Sequence, residues 1–183
     1  MNLQNAHIPI IGFAAYSGTG KTTLVLQTIP RLQAAGLRVG VIKHAHHQFE
    51  VDQPGKDSYE IRKAGATQTL ITSRTRWALM VERDLGREPL LDEALLEVDQ
   101  MGLDLVVVEG FKREHFPKIE VHRPSLGRPL LSPRDPDIVA IAADAPVEAN
   151  VPVLDLNQPD EVVNFILTSV MRSPIPAQRS RNQ

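Results

Sequence analysis

The sequence contains no cysteine among its 183 residues, which excludes disulfide bonds and thiolate metal sites. It has no strong excess of either charge, because the formal net charge is −2, and a broad basic surface for nucleic acid is not expected. No apolar run approaches the length of a membrane-spanning helix, and the first residues lack a basic region followed by an apolar core. These absences predict a cytoplasmic protein that binds neither nucleic acid nor membrane.

The length and the 42% hydrophobic content predict a single domain with one sizeable core, over residues 1–171. Residues 172–183 hold two prolines, three arginines and few apolar side chains. Such a segment buries too little apolar surface to offset its loss of conformational entropy, so a disordered tail is predicted.

Apolar runs alternate along the chain with segments of helical spacing. The runs that suit buried strands cover residues 8–14, 37–42, 103–108, 138–142 and 151–156. Apolar positions at helical spacing predict helices over 22–35, 90–101 and 159–171, with Pro30 kinking the first. This alternation predicts an α/β fold with a mainly parallel sheet and helices on both faces.

Two segments interrupt the alternation. Residues 67–81 contain two β-rich stretches joined near Ser73 and Arg74, which predicts a hairpin with Trp77 packed on one of its faces. Residues 117–121 alternate apolar and polar positions, as an edge or half-exposed strand would. Together they predict an antiparallel appendage on the parallel core.

The stretch Ala15-Tyr16-Ser17-Gly18-Thr19-Gly20-Lys21-Thr22 follows the first strand and precedes the first helix. In this setting glycines let successive N–H groups turn towards phosphate oxygens, and the helix N-terminus faces the same point. Lys21 would reach the β- and γ-phosphates, and the Thr22 hydroxyl would bind Mg²⁺. The pattern predicts a P-loop NTPase-like fold, although Ala15 stands where the strict pattern has glycine.

An acidic residue, Glu109, ends the aliphatic strand at 103–108. In phosphate-loop proteins a carboxylate at the end of such a strand stands beside the loop, where it holds Mg²⁺ through water or orients an attacking water. A polar strand terminus without a ligand is the alternative.

Three other groups have open interpretations. Asp144 follows the strand at 138–142, where it would accept from both N1–H and the 2-amino group of guanine, or would be a turn residue. Residues 43–47 carry His44, His46 and His47, which fit a polar loop, a phosphate-facing loop or a metal site. Residues 54–58 combine a turn, a cation and a helix start, as an anion site or an ordinary helix cap would.

An ordered series of segments resembles the molybdopterin-guanine dinucleotide biosynthesis adaptor proteins of the MobB type. The resemblance covers about residues 8–171 and is more specific than the phosphate loop alone. The segments are Ala-Tyr-Ser-Gly-Thr-Gly-Lys-Thr-Thr, Val-Ile-Lys-His-Ala-His-His, Asp-Gln-Pro-Gly-Lys-Asp-Ser-Tyr, Arg-Lys-Ala-Gly-Ala, Arg-Trp-Ala-Leu-Met and Val-Val-Glu-Gly-Phe-Lys.

The resemblance implies a GTP-binding protein that assists attachment of a guanine nucleotide to molybdopterin, with at most slow GTP hydrolysis. It implies phosphate contacts from the loop and the helix start, and a metal-site carboxylate at Glu109. The residues expected to bind GTP are Ser17, Gly18, Thr19, Gly20, Lys21, Thr22, Thr23 and Asp144, and those expected to bind Mg²⁺ are Thr22 and Glu109. Tyr16 stands where some dimeric relatives of the wider class carry a second lysine, so a lysine supplied across a dimer is not expected.

The implied partners are a second copy of the chain, joined through the hairpin at 67–81, the guanylyltransferase that makes the dinucleotide cofactor, and molybdenum-insertion proteins. Binding of molybdopterin itself is left open. Two other functions stay open as well. A small-molecule kinase would use Arg123, Arg128 and Arg134 of the Pro-rich loop at 122–136 as a lid. A purely structural dimer would carry a phosphate loop without function.

Overall fold

The computed structural model describes residues 3–45 and 49–172. Strands within these ranges are β1 (Ile10–Ala14), β2 (Val39–Lys43), β3 (Gln68–Thr72), β4 (Trp77–Val81), β5 (Leu105–Glu109), β6 (Lys118–His122), β7 (Ile138–Ala143) and β8 (Val153–Asp155). Helices are α1 (Lys21–Ala34), α2 (Asp57–Lys63), α3 (Leu91–Leu96) and α4 (Pro159–Phe165), and a π-helical turn (Ile166–Val170) continues α4. Short 3₁₀ turns cover Gln100–Gly102 and Pro124–Leu126.

The chain divides into two compact units. The larger unit comprises residues 1–44 and 90–183, and the smaller unit comprises residues 45–89. The smaller unit holds α2 and the hairpin of β3 and β4, so the predicted hairpin forms and lies outside the main sheet.

The larger unit contains a six-stranded sheet in the order β2-β5-β1-β6-β7-β8, with every neighbouring pair parallel. The predicted parallel α/β architecture is therefore confirmed. Because the strands are parallel, the carboxyl ends of β1, β2, β5, β6 and β7 all meet at one edge of the sheet, and the loops that follow them lie together there.

Both faces of the sheet are covered. On one face α1 and α4 pack over β1, β5, β6 and β7, with Leu24, Leu32 and Val162 fully or almost fully buried. On the other face α3 packs Leu91 and Leu95 against β1 and β5, while the segment around Leu130 covers β7. Residues Leu105–Val108 of β5 are completely buried, as an aliphatic strand in the middle of a parallel sheet requires.

The prediction for residues 117–121 was wrong. This segment is β6, an internal strand paired in parallel with β1 and β7, and all five of its residues are buried. Its polar side chains find partners inside the protein: Lys118 pairs with Asp135 at 3.1 Å, and both Glu120 oxygens accept backbone N–H groups of the following loop. Because these buried polar residues have hydrogen-bond partners inside the protein, the sequence of β6 alternates as that of a half-exposed strand would.

The smaller unit is held by an ionic cluster around Arg62, whose side chain is 8% exposed. Arg62 donates to Asp52 and Glu82 at 2.9 Å each and pairs with Glu50. The hydrogen bonds that Arg62 donates to Asp52 and Glu82 outweigh burial and raise the pKa of Arg62. The cluster therefore joins α2 to the segment before it and to the residue after β4.

Several local predictions need adjustment. α1 runs from Lys21 to Ala34 with Pro30 inside it, and the kink at this proline stays a prediction. The helix predicted over 90–101 is shorter, because α3 ends at Leu96 before a 3₁₀ turn. Trp77 is 69% exposed rather than packed on the hairpin. Most of the predicted tail lies outside the described residues, which include no helix long and apolar enough to cross a membrane.

Candidate phosphate-binding site at the carboxyl edge of the sheet

The loop between β1 and α1 has the backbone shape expected of a phosphate loop. Gly18 and Gly20 have φ values of +84° and +92°, in the left-handed region that glycine adopts without strain. Gly20 is the N-cap of α1, and the first turn of that helix has neither a side-chain cap nor an acidic residue. The first N–H groups of the helix therefore lack a side-chain cap and could bind an anion, and the helix dipole favours negative charge at the same place.

The remaining loop residues divide between the interior and the surface. Thr19 is 2% exposed and its hydroxyl donates to the Tyr16 carbonyl at 3.0 Å, which leaves its backbone amide as the group that a phosphate would meet. Ser17, Thr22 and Thr23 are exposed. Ala15 is buried and has no positive φ, so the alanine in place of glycine fits the loop without strain.

Lys21 and Glu109 form an ion pair beside this loop. The side chains are 19% and 15% exposed, and Lys43 approaches the second Glu109 oxygen at 3.7 Å. Burial is the largest influence on the pKa of Glu109 and raises it, but the Lys21 hydrogen bond and the charges of both lysines together outweigh burial and lower that pKa below its ordinary value. Glu109 is therefore a carboxylate at neutral pH, close to the lysine predicted to bind phosphate.

The turn after Glu109 has an unusual backbone. Gly110 has φ of +100°, and Phe111 has φ of +50°, the only positive φ of a non-glycine residue in the described chain. A Cβ on Gly110 would lie 2.6 Å from the Cβ of His44, so only glycine fits. The His44 ring stacks on Phe111 with centroids 4.6 Å apart, and the His44 amide donates to the Glu109 carbonyl at 2.8 Å. This packing fixes the position at which the chain leaves Glu109.

A second ion pair connects the loop to the end of β7. Arg123, the residue after β6, donates from Nε to the Thr19 carbonyl at 2.9 Å and pairs through Nη1 with Asp144. A Cβ built on Gly20 would lie 3.5 Å from Arg123 Nη2, so the guanidinium lies against the phosphate loop. The structure thus brings Asp144 to the same edge as the loop, in contact with a cation.

The other predicted groups are more dispersed. Arg128 stands 5.9 Å from the ring centre of Tyr16, and Arg134 follows on the same loop. His46 and His47 lie outside the described residues. Lys56, in the smaller unit, is the N-cap of α2 without a side-chain cap, so Asp57 is the first residue of that helix rather than its cap.

The residues at this edge fit a magnesium ion better than a metal held by protein alone. Among the described residues, no three histidine, aspartate or glutamate side chains cluster as a metal site. Mg²⁺ commonly uses one or two protein oxygens and completes its shell with water and phosphate. An exposed Thr22 hydroxyl and the Glu109 carboxylate match that requirement, and Mg²⁺ would supply charge neutralisation of bound phosphates.

Sequence reasoning missed two features of the site. It did not connect Arg123 with Asp144, which are 21 residues apart, and it did not place Lys43 on Glu109. The available signal was positional: Arg123 and Lys43 end or follow parallel strands next to β1 or β5, and such strand ends meet at one edge.

The parallel sheet, the left-handed glycines and the helix that starts at Lys21 together define a P-loop NTPase-like fold. The family model described as "Molybdopterin guanine dinucleotide synthesis protein B", or MobB, matches residues 10–144. The chain belongs to this family.

Individual relatives agree with that assignment. A molybdopterin-guanine dinucleotide biosynthesis adapter protein of Escherichia coli is 47% identical over 161 residues, which cover 87% of this chain and 92% of the relative. The corresponding protein of Haemophilus influenzae is 41% identical, over 89% of this chain and 90% of its own. The crystal structure of a MobB protein homologue from Bacillus stearothermophilus superimposes with a TM-score of 0.62 at 28% identity, over 88% of this chain and 97% of that one.

Proposed function

We propose that this protein is a GTP-binding adapter in molybdopterin guanine dinucleotide biosynthesis and that it binds GTP with Mg²⁺ at the carboxyl edge of its sheet. The Lys21–Glu109 pair beside the loop is the observation that carries the proposal. Lys21 would bind the γ- and β-phosphates, and Glu109 and the Thr22 hydroxyl would bind Mg²⁺. A ligand that brings both a polyanion and a cation replaces both halves of this ion pair, so neither charge is left unpaired.

The adapter role is supported by the family and by the chemistry of the edge. Glu109 lies beside the loop, and it is already engaged by two lysines rather than held free as a base. We expect such a site to retain GTP and hydrolyse it slowly at most, because efficient hydrolysis needs a residue that orients the attacking water, and the Glu109 carboxylate is held by two lysines instead. The proposed partners are the guanylyltransferase and molybdenum-insertion proteins.

Titration of the purified chain with GTP and ATP, with and without Mg²⁺, tests this proposal, with phosphoryl transfer followed by labelled nucleotides. We expect tight GTP binding that Mg²⁺ strengthens, and almost no turnover. Rapid transfer of phosphate to a metabolite would instead establish the kinase function. Absence of nucleotide binding under both conditions would contradict the proposal and favour a structural role.

We also propose that the protein is a homodimer joined through the hairpin. One face of the β3–β4 hairpin exposes four apolar side chains: Leu70 is 60% exposed, Trp77 69%, Leu79 47% and Val81 41%. These residues occupy alternate positions along the two strands and Leu70 pairs directly with Leu79, so all four lie on one face. A contiguous apolar surface of this kind on a soluble protein marks an interaction site.

Sedimentation equilibrium of a Leu79→Glu variant tests the dimer. We expect the wild type to sediment as a dimer and the variant as a monomer, because a buried unpaired carboxylate opposes association. Met101→Glu is the matched control, since Met101 is 95% exposed but lies in the larger unit. A Leu79→Glu variant that stays dimeric while Met101→Glu dissociates would place the interface elsewhere.

A further inference from the structure

The Arg123 guanidinium occupies a position that neither the family assignment nor the proposed phosphate contacts explain. It lies between two groups that belong to different parts of a nucleotide site: the phosphate loop, through the Thr19 carbonyl, and Asp144 at the end of β7. The side chains of Arg123 and Asp144 are 35% and 20% exposed, so the pair is partly withdrawn from water. An ion pair of this kind holds its geometry better than one on the open surface.

The two contacts use different atoms of the guanidinium. Nε donates to Thr19, Nη1 pairs with Oδ2 of Asp144, and Nη2 lies over Gly20. Because a guanidinium is planar and rigid, fixing Nε on the loop also fixes the direction of Nη1. Arg123 therefore sets the distance and orientation of the Asp144 carboxylate relative to the loop.

We propose that Arg123 is a positioning residue that ties Asp144 to the phosphate loop, so that recognition of the guanine base depends on Arg123. This inference rests on the proposed GTP binding. A carboxylate selects guanine by accepting from N1–H and the 2-amino group, which adenine cannot offer together. That selection needs the carboxylate at a fixed distance from the phosphates, because the nucleotide has a fixed length between its base and its phosphates.

The test measures affinity for GTP, ATP and inorganic tripolyphosphate in the wild type, Arg123→Gln and Arg123→Lys. We expect Arg123→Gln to weaken GTP binding by roughly tenfold to a hundredfold, the usual consequence of losing hydrogen bonds to a charged group. The ratio of GTP to ATP affinity should fall towards one. Arg123→Lys keeps the positive charge but lacks the planar guanidinium with its several donors. It should therefore largely preserve tripolyphosphate binding and still lose most of the preference for GTP over ATP.

The chain supplies a matched control in a second arginine–aspartate pair. Arg38 makes hydrogen bonds to both Asp104 oxygens, but it lies at the opposite edge of the sheet. Arg38→Gln removes the same chemical group without approaching the loop, and it should leave all three affinities unchanged. The melting temperature of each variant establishes that it is folded, and Arg123→Lys carries the test if Arg123→Gln does not fold.

The outcomes separate this inference from the proposed function. A GTP to ATP ratio that stays at the wild-type value in both folded Arg123 variants would overturn the positioning role and leave GTP binding intact. A wild type that binds GTP and ATP equally would overturn base reading by Asp144, and the inference with it. A wild type that binds neither nucleotide would overturn the proposed function as well.

Discussion

The two edges of the six-stranded sheet carry similar ion pairs in different settings. At the amino edge, Arg38 and Asp104 satisfy one another through side-chain and backbone hydrogen bonds, and Arg38 is 60% exposed. At the carboxyl edge, Lys21 pairs with Glu109, and both side chains are less than 20% exposed. Arg38 and Asp104 therefore satisfy each other's hydrogen bonds at the amino edge. The carboxyl-edge pair instead adjoins a helix N-terminus and a glycine loop shaped for an anion.

This difference separates a structural ion pair from a candidate ligand site. Ion pairing alone is weak evidence for function, since exposed pairs contribute little to stability and are common on protein surfaces. The carboxyl edge combines three features: left-handed glycines at 18 and 20, a helix start without a side-chain cap, and a carboxylate withdrawn from water. An anion-binding site would explain all three together. Variants at matched positions on the two edges test this difference.

Lys21→Ala should have the largest effect on ligand binding. Removing the lysine deletes a charge-assisted contact to the phosphates and leaves Glu109 facing them with only Lys43 nearby. We expect GTP affinity to fall about a hundredfold, or about 2.8 kcal/mol at 1.4 kcal/mol for each factor of ten. Isothermal titration calorimetry measures this loss, and Arg38→Ala should bind GTP as the wild type does. Equal affinities for Lys21→Ala and the wild type would remove Lys21 from the site.

Gly110→Ala and Gly36→Ala compare the backbone at the two edges. Both glycines have positive φ, +100° and +91°, so alanine costs about 1 kcal/mol or more at each. Only Gly110 has a neighbour, the Cβ of His44, within 2.6 Å of the added Cβ, while the space around Gly36 is open to 4 Å. We expect urea unfolding to show a loss of about 2 kcal/mol or more for Gly110→Ala and about 1 kcal/mol for Gly36→Ala. Equal losses would mean that the His44 contact relaxes without cost.

Glu109→Gln should affect binding mainly when Mg²⁺ is present. The amide keeps the shape of the side chain but removes the charge that would attract the cation. We expect about a tenfold loss of GTP affinity with Mg²⁺, by analogy with other charged hydrogen bonds, and a smaller loss with EDTA. The matched variant Asp104→Asn should change neither value. Equal losses in both media for Glu109→Gln would exclude Glu109 from the metal site.

Acid titration should show the smallest effect. The lowered pKa of Glu109 means that its ion pair stabilises the fold above the ordinary glutamate pKa, about 4.3, and loses this contribution as pH falls through the lowered value. Hydrogen bonds from Arg38 lower the pKa of Asp104 to about 2, so its contribution is present above about 3.9 and is lost as pH falls through 2.

Thermal unfolding of the wild type, Glu109→Gln and Asp104→Asn between pH 7 and pH 2, with and without GTP and Mg²⁺, follows both contributions. Nucleotide should change the acid profile of the Glu109 pair, because Lys21 then contacts phosphate, and it should leave the Asp104 profile unchanged. A nucleotide effect on the Asp104 pair of the same size would show that the two edges do not differ as argued.

The sequence predicted the parts of the molecule that depend on local pattern. β1, the loop, α1 and β5 each follow from a continuous run of residues, and Glu109 is placed by the strand that it ends. β6 could not be placed, because the partners that satisfy Lys118 and Glu120 come from a loop about 11 to 17 residues further along the chain. The Arg123–Asp144 contact was missed as well, because it requires β6 to be an internal strand beside β7, whereas this segment was predicted as an edge or half-exposed strand.

We expect the backbone amides of the loop between β1 and α1 to bind the phosphates of GTP. Titration of ¹⁵N-labelled protein with GTP and Mg²⁺, observed as amide chemical-shift changes, tests this directly. We predict that the largest changes fall on the amides of Gly18, Gly20, Lys21 and Thr22, and that inorganic tripolyphosphate reproduces them. Saturating GTP that leaves these amides unmoved, or that shifts only amides of the smaller unit, would contradict the account.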